Sequence, residues 1–186
     1  MTENGVVSLS EGHPQWPRHL RERLGESAPA RITARGAVTI LERPRTALLC
    51  SLRCPGDAIL GAYDTARRLR DEGATVISGF HAPIEKDCLD ILLRGKQPII
   101  ICLARGLERM RIPSAWRPAL EAGRLLLLSP FPETVRRPTK ETARRRNLLT
   151  AALADHAIII HAEPCGAIAE IAQWLDMWAV PRIPME

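Results

Sequence analysis

Residues 75–106 read TVISGFHAPIEKDCLDILLRGKQPIIICLARG, and this stretch decides the fold. Thr75, Val76 and Ile77 form a short β-branched run that ends in Ser78-Gly79. A run that is apolar on both faces is what a strand needs when both sides of its sheet are covered. At Pro83 the periodicity changes. Ile84, Cys88, Ile91 and Leu92 fall three or four residues apart, with Pro83 in the first turn and Gly95 as a stop, which predicts a helix over 83–94. The strand signal returns over 98–103 and ends in Ala104-Arg105-Gly106. Strand, helix and strand with short connections make one right-handed crossover unit of a parallel sheet.

The pattern repeats in both directions. Apolar strands are predicted at 46–50, 124–128 and 157–161, and helices at 57–72, 113–122, 140–154 and 166–178. The first of these helices carries Ile59, Leu60, Tyr63, Ala66 and Leu69 on helical spacing and closes at Gly73. Alternation of this kind predicts an α/β fold, a Rossmann-like doubly wound, mainly parallel sheet with helices on both faces. Two units are expected: an N-terminal extension, 1–45, with a short basic helix at 16–24 joined on through 27–36, and a Rossmann-like domain, 46–186. The pattern leaves 37–41 open between a strand and a turn, and 180–186 reads as a further edge strand.

Composition narrows the partners. A length of 186 residues suits one ordinary domain, and 46% hydrophobic with 25% charged residues excludes a disordered tail, a collagen and a disulfide miniprotein. No apolar run reaches the ~20 residues of a membrane span, and MTENGVVSLSEG has no secretory pattern. No membrane association and a cytoplasmic location are therefore expected. The formal charge is +5, and only Lys86, Lys96 and Lys140 among the 26 basic residues are lysines. Arginine makes forked contacts to phosphate, so a phosphate-bearing partner follows naturally. Against a single-stranded nucleic acid stands an aromatic content of 4%, since such partners commonly stack on rings.

Five cysteines, an odd number, argue against a disulfide framework. Cys50 and Cys102 lie in apolar runs and read as buried hydrophobes. Cys50 and Cys54 have a metal-like spacing but lack a second pair. His81 and His161 follow predicted strands, yet no His-Glu-x-x-His or Ser-His-Asp order accompanies them. No GxGxxG and no GxxxxGK[ST] is present. Neither a metal nor a cofactor is expected.

In an open parallel sheet, ligands bind outside the carboxyl ends of the strands. Those ends carry Ser51 and Arg53, Ser78, Gly79 and His81, Arg105, Ser129, and Cys165-Gly166. Hydroxyls, arginines and helix starts converge on one edge, which is an anion-binding arrangement. The densest basic segment, Arg136 to Asn147, adds Lys140, Arg144 and Arg146.

Taken together, TALLCSLRCPG (46–56), VISGFHAPIEKDCLDILLRGKQPIIICLARGLE (76–108), GRLLLLSPF (123–131) and RRRNLLTAALADHAIIIHAEPCGAIAEIA (144–172) resemble the DNA-processing protein A (DprA/Smf) family in order and spacing. The family shows a strand ending in Gly-Ser-Arg, a Ser-Gly loop leading to Ile-Asp, an Arg-Asn-Arg helix and a Ser-Gly-Ser turn. The lead-in His13-Pro-Gln-Trp16-Pro and Arg35-Gly36 fit as well, so the resemblance runs over about residues 13–180. The chain departs from the pattern at Cys50-Ser51-Leu52, with Arg53 one residue late, at Glu85 for Asp, at Leu89 for a His, at Leu148 for the second Arg and at Cys165-Gly166-Ala167. It resembles a divergent, minimal member. The resemblance implies single-stranded DNA binding in recombination or DNA uptake, a homodimer and a recombinase partner.

The sequence is thus read as a non-enzymatic module that binds a phosphate backbone. Its candidate contacts are Ser51, Arg53, Ser78, Gly79, His81, Arg105, Lys140, Arg144, Arg146, Asn147, Cys165 and Gly166. An alternative is a nucleotide-binding sensor or an enzyme like the cytokinin-activating phosphoribohydrolases, which Pro164 to Glu170 partly resembles. Glu170 would then be the acid and Arg105 the phosphate ligand. A third reading is a structural partner-binding domain with no small ligand.

Overall fold

Along the central strands successive side chains enter two separate cores. In β3 (Arg45–Cys50), Leu48 and Cys50 face one and Ala47 and Leu49 the other. The same division runs through β4 (Thr75–Ser78), β5 (Ile99–Cys102), β6 (Leu125–Ser129) and β7 (His156–His161). The continuous apolar runs follow from this two-sided burial. The structure, a computed structural model, describes residues 5–185.

One face is covered by α2 (Gly56–Asp71), α3 (Pro83–Leu93) and the short α4 (Arg117–Glu121). The other is covered by α1 (His19–Leu24), α5 (Lys140–Leu153) and α6 (Ala167–Met177). The doubly wound α/β fold is as expected. β7, β3, β4, β5 and β6 pair in parallel in that spatial order. The chain thus steps outward from β3 to β6, and α5 carries it back to the far side of β3. Strand order reverses between β3 and β7, the switch point of the sheet.

Residues 27–36, expected as a connection, instead contain β2 (Arg31–Gly36), which pairs antiparallel with β6. Antiparallel β1 (Val6–Ser10) lies outside β2. The full order is β1-β2-β6-β5-β4-β3-β7, so residues before 46 contribute to the same sheet. β2 alternates polar and apolar residues, and in β1 only Leu9 is buried, so the continuous apolar run of the central strands is missing. The helix expected from residue 16 starts only at His19. The segment left open at 37–41 is a 3-10 turn, Val38–Glu42. The expected helix over 113–122 begins as a 3-10 turn, Ser114–Trp116, and turns α-helical where Pro118 fits the first turn. Near the C-terminus a single parallel bridge, Ala157 with Arg182, extends the sheet beside β7.

Two contacts secure this frame. Arg23 of α1 donates from Nη1 to the carbonyls of Ala152 (2.9 Å) and Ala154 (2.6 Å), satisfying the end of α5. Buried Arg45 donates from Nε and Nη2 to the two oxygens of Asp155, at 3.0 and 3.3 Å, and its backbone N–H donates to the same carboxylate. Burial raises the Asp155 carboxyl, but the hydrogen bonds and charge of Arg45 outweigh that and hold it below the ordinary carboxylate range. Its stabilisation is therefore complete above the unfolded value of about 3.9 and disappears as pH falls through the lower folded value. Asp155→Asn should lower stability by about 1–2 kcal/mol at pH 7, and the gap to the parent should close below about pH 4 in denaturant titrations. A gap independent of pH would contradict this.

Gly36 has φ +112, and a Cβ there would stand 2.1 Å from the Leu125 carbonyl oxygen. Gly123, also left-handed at φ +67, has nothing within 4 Å of that position. Gly36→Ala should therefore cost about 3 kcal/mol, roughly 6–12 °C in Tm, against about 1 kcal/mol for Gly123→Ala. Equal losses in thermal melts would refute the close approach of β2 to β6.

Candidate functional site

At the carboxyl ends of the parallel strands, three serines hold the loops in place. Ser51 donates its N–H to the His161 carbonyl (2.9 Å), and its hydroxyl accepts from the Glu163 N–H (2.9 Å), tying the loops after β3 and β7 together. The Ser78 hydroxyl accepts from the Phe80 N–H at 3.2 Å, and that of Ser129 accepts from the Phe131 N–H at 3.1 Å. Each is a side-chain-closed turn two residues long. The Ser129 hydroxyl also donates to the Arg105 carbonyl at 2.7 Å.

Beneath these loops two buried side chains, Glu85 and Arg146, act as a pin. Glu85, at the third position of α3, accepts from the N–H groups of Cys50 (2.9 Å), His81 (2.8 Å) and Ala82 (3.2 Å). The Ala82 contact is the reach-back half of a capping box, and the Cys50 contact joins α3 to the end of β3. Arg146, projecting from α5 and 5% exposed, donates from Nη1 to the Gly79 carbonyl at 3.2 Å and from Nε to the Asn147 side chain at 2.7 Å. A 3.5 Å contact from Nη1 to the Cys102 carbonyl reaches the end of β5. A Cβ at residue 79 would stand 2.1 Å from Nη1 of Arg146, so only glycine admits the guanidinium. Burial raises the Glu85 carboxyl, while its three N–H donors and the Arg146 charge oppose that rise. Burial lowers the Arg146 guanidinium, and Glu85 opposes that in turn.

The edge therefore gathers Ser51, Arg53, Ser78, Gly79, His81, Arg105, Cys165 and Gly166, with Arg146 and Asn147 beneath them. Lys140 is exposed at the start of α5, by the same edge. Partial desolvation, then the charges of Arg146 and Lys86, hold His81 below the ordinary imidazole range, so it is neutral near pH 7. The basic run 136–146 divides. Arg144 forms a two-pronged ion pair with Glu170 of α6, and the Arg145 guanidinium lies 5.3 Å from the Phe131 ring centre. Arg146 is buried, and Arg136, Arg137 and Lys140 remain exposed.

At the switch point, α2 and α6 both start without a side-chain cap, at Pro55 and Gly166. Their first-turn N–H groups and dipoles face the edge, with Arg53 beside α2. Asp57 in the first turn of α2 accepts from the Ala58 N–H at 2.9 Å and offsets part of that field. The Arg144 hydrogen bond holds Glu170 below its ordinary range, the wrong direction for a general acid. Burial pushes the thiols of Cys88 and Cys102 up to about 12 and about 11, which leaves them poor nucleophiles. Among the described residues no group of three or more His, Cys, Asp or Glu is placed to hold a metal ion. No helix among them is long and apolar enough to cross a membrane.

The sequence reading overlooked Glu85 as a functional organiser. Its signal was present, since Glu85 stands where the resembling family carries an aspartate, but its Cys50 contact spans 35 residues. If the pin works as a unit, Glu85→Gln and Arg146→Met should each cost about 2–4 kcal/mol, and the double variant less than their sum by about 1–2 kcal/mol in denaturant unfolding. Full additivity would show that the two charges do not support each other.

A sequence model of the DNA recombination-mediator protein A family matches residues 8–179. Among curated proteins no sequence match was found. Among solved structures, DNA processing protein A (DprA) from Streptococcus pneumoniae is similar at TM-score 0.79 and 19% identity, over 96% of this chain and 62% of that one. DNA processing protein A from Helicobacter pylori, described for its single-stranded DNA binding mode, is similar at TM-score 0.77 and 20% identity, over 98% and 81%. The molybdenum cofactor binding protein of Rippkaea orientalis is a more distant likeness, at TM-score 0.52 and 13% identity over 76% of each chain. At these identities the likenesses establish the fold, and the chain spans less than two thirds of the Streptococcus protein.

Proposed function

The chain belongs to the DNA recombination-mediator protein A family, and from that premise we propose that it binds single-stranded DNA through the phosphate backbone, without catalysis, along the carboxyl edge of its sheet. The observation that carries this is the pair of uncapped helix starts, α2 and α6, meeting at the β3–β7 switch point beside Arg53. Backbone N–H groups there take phosphate oxygens irrespective of base sequence. Arg105 and Lys140 extend the positive surface along the edge, and the Arg146–Glu85 pin keeps the loops in register. Serine hydroxyls, Gly79 and Gly166 act by shaping the loops. The Helicobacter relative's single-stranded DNA binding supports the choice of ligand. A homodimer and a recombinase partner complete the proposal and rest on the family resemblance. The hydrolase reading loses its acid, because Glu170 is engaged by Arg144 and held ionised.

The test is fluorescence anisotropy of labelled oligo-dT over a salt series. Affinity should fall with rising salt, and Arg53→Ala and Lys140→Ala should each weaken binding several-fold and flatten the logarithmic slope by about 0.7. Negligible binding at low salt would overturn the proposal. Thermal stabilisation by a mononucleotide, with no oligonucleotide binding, would replace it with the sensor reading.

A further inference from the structure

Away from the switch point, a cavity of about 640 Å³ opens between α4, the loop after β5 and strand β2. Four arginines line it, Arg35, Arg109, Arg111 and Arg117, against two carboxylates, Glu108 and Glu121, a formal excess of two positive charges. Ile112 and Leu120 contribute apolar wall, along which arginine stems can lie. Arg109 pairs with Glu133 at 3.5 Å. Among the described residues Arg35, Arg111 and Arg117 have no carboxylate within ion-pair distance. Arg35 is half-buried in β2, where the register sets it between Val6 and Leu127. A half-buried guanidinium that meets no carboxylate among the described residues is open to a charge-assisted contact from a bound anion.

We propose that this cavity is a second phosphate-binding site, in which Arg35 and Arg111 grip one phosphate group and Arg117 closes on it from α4. Forked guanidinium contacts suit phosphate oxygens, and the absence of aromatic lining leaves bases no stacking platform there. The lining loop continues directly from Arg105-Gly106 at the end of β5, where a Cβ on Gly106 would stand 2.6 Å from the Pro132 carbonyl oxygen, so the cavity's loop begins at the strand-end edge. From β3, at the switch point, to β2 is four strand spacings, about 19 Å. A long DNA strand lying along the edge reaches both places, whereas a short one occupies only the first. The DNA source of the phosphate rests on the function proposed above; a free phosphate compound is the other source.

The experiment compares the full chain with an Arg35→Ala/Arg111→Ala variant, whose melting temperature serves as the folding control. Binding of oligo-dT of about six and about twenty nucleotides is measured by anisotropy, and inorganic phosphate is titrated while the arginine Nε–H signals are followed by NMR. For the DNA source, the variant should bind the longer oligonucleotide about tenfold more weakly with a flatter salt slope, and the shorter one unchanged. For the free-phosphate source, inorganic phosphate should shift the parent's Arg35 and Arg111 signals while long-oligonucleotide affinity is the same in both proteins. Unchanged oligonucleotide binding together with no phosphate-induced shift overturns the site. If the parent binds neither oligonucleotide, the strand-end proposal fails, and the phosphate titration alone decides the cavity.

Discussion

A carboxylate and a guanidinium, both buried, hold the strand-end edge of this protein together. Glu85 gathers the N–H groups of Cys50, His81 and Ala82, so the ends of β3 and β4 and the start of α3 share one acceptor. Arg146 reaches up from the opposite layer to the Gly79 carbonyl. Four elements that would otherwise end in separate turns are joined by two side chains. Each buried group meets backbone partners, and the charge of the other opposes the shift that burial imposes, so removing either leaves the remaining one less well compensated. Gly79 follows from the same constraint, because any side chain there would occupy the place of the guanidinium.

This pin explains why a basic residue in the densest cationic stretch of the chain is not itself a surface ligand. Charge counting groups Arg144, Arg145 and Arg146 as one patch, but helix geometry sends them to three destinations: Glu170, the Phe131 ring and the interior. In the proposed binding, the field that meets a phosphate chain comes instead from helix starts, Arg53, Arg105 and Lys140. Such a source is weakly dependent on base identity and strongly dependent on ionic strength, which suits a ligand recognised by its backbone.

How much of this was legible in the sequence follows from burial. β3 to β7 are apolar on both sides, so their runs stand out, and the helices between them end at readable stops such as Gly73 and Gly95. β1 and β2 escaped notice because neither is a continuous apolar run: β2 alternates in polarity although Ile32, Thr33 and Ala34 are all buried, and β1 has Leu9 as its one buried residue. The loop serines were legible as turn formers, and their position at strand ends was enough to locate the edge. That their hydroxyls serve the loops was not, since Ser51 answers to Glu163, 112 residues away. Glu85 has a local capping contact with Ala82, but its tie to Cys50 and the cavity beside α4 arise only from contacts between distant segments.

Binding along the strand-end edge is tested most directly by hydrogen–deuterium exchange of the full chain with and without long oligo-dT. It predicts slowed exchange in the strand-end loops, residues 51–56, 79–82 and 163–167, and unchanged exchange at the opposite edge, in residues 72–74 and 95–97. Protection confined to the opposite edge, or no protection anywhere at saturating oligonucleotide, would contradict it.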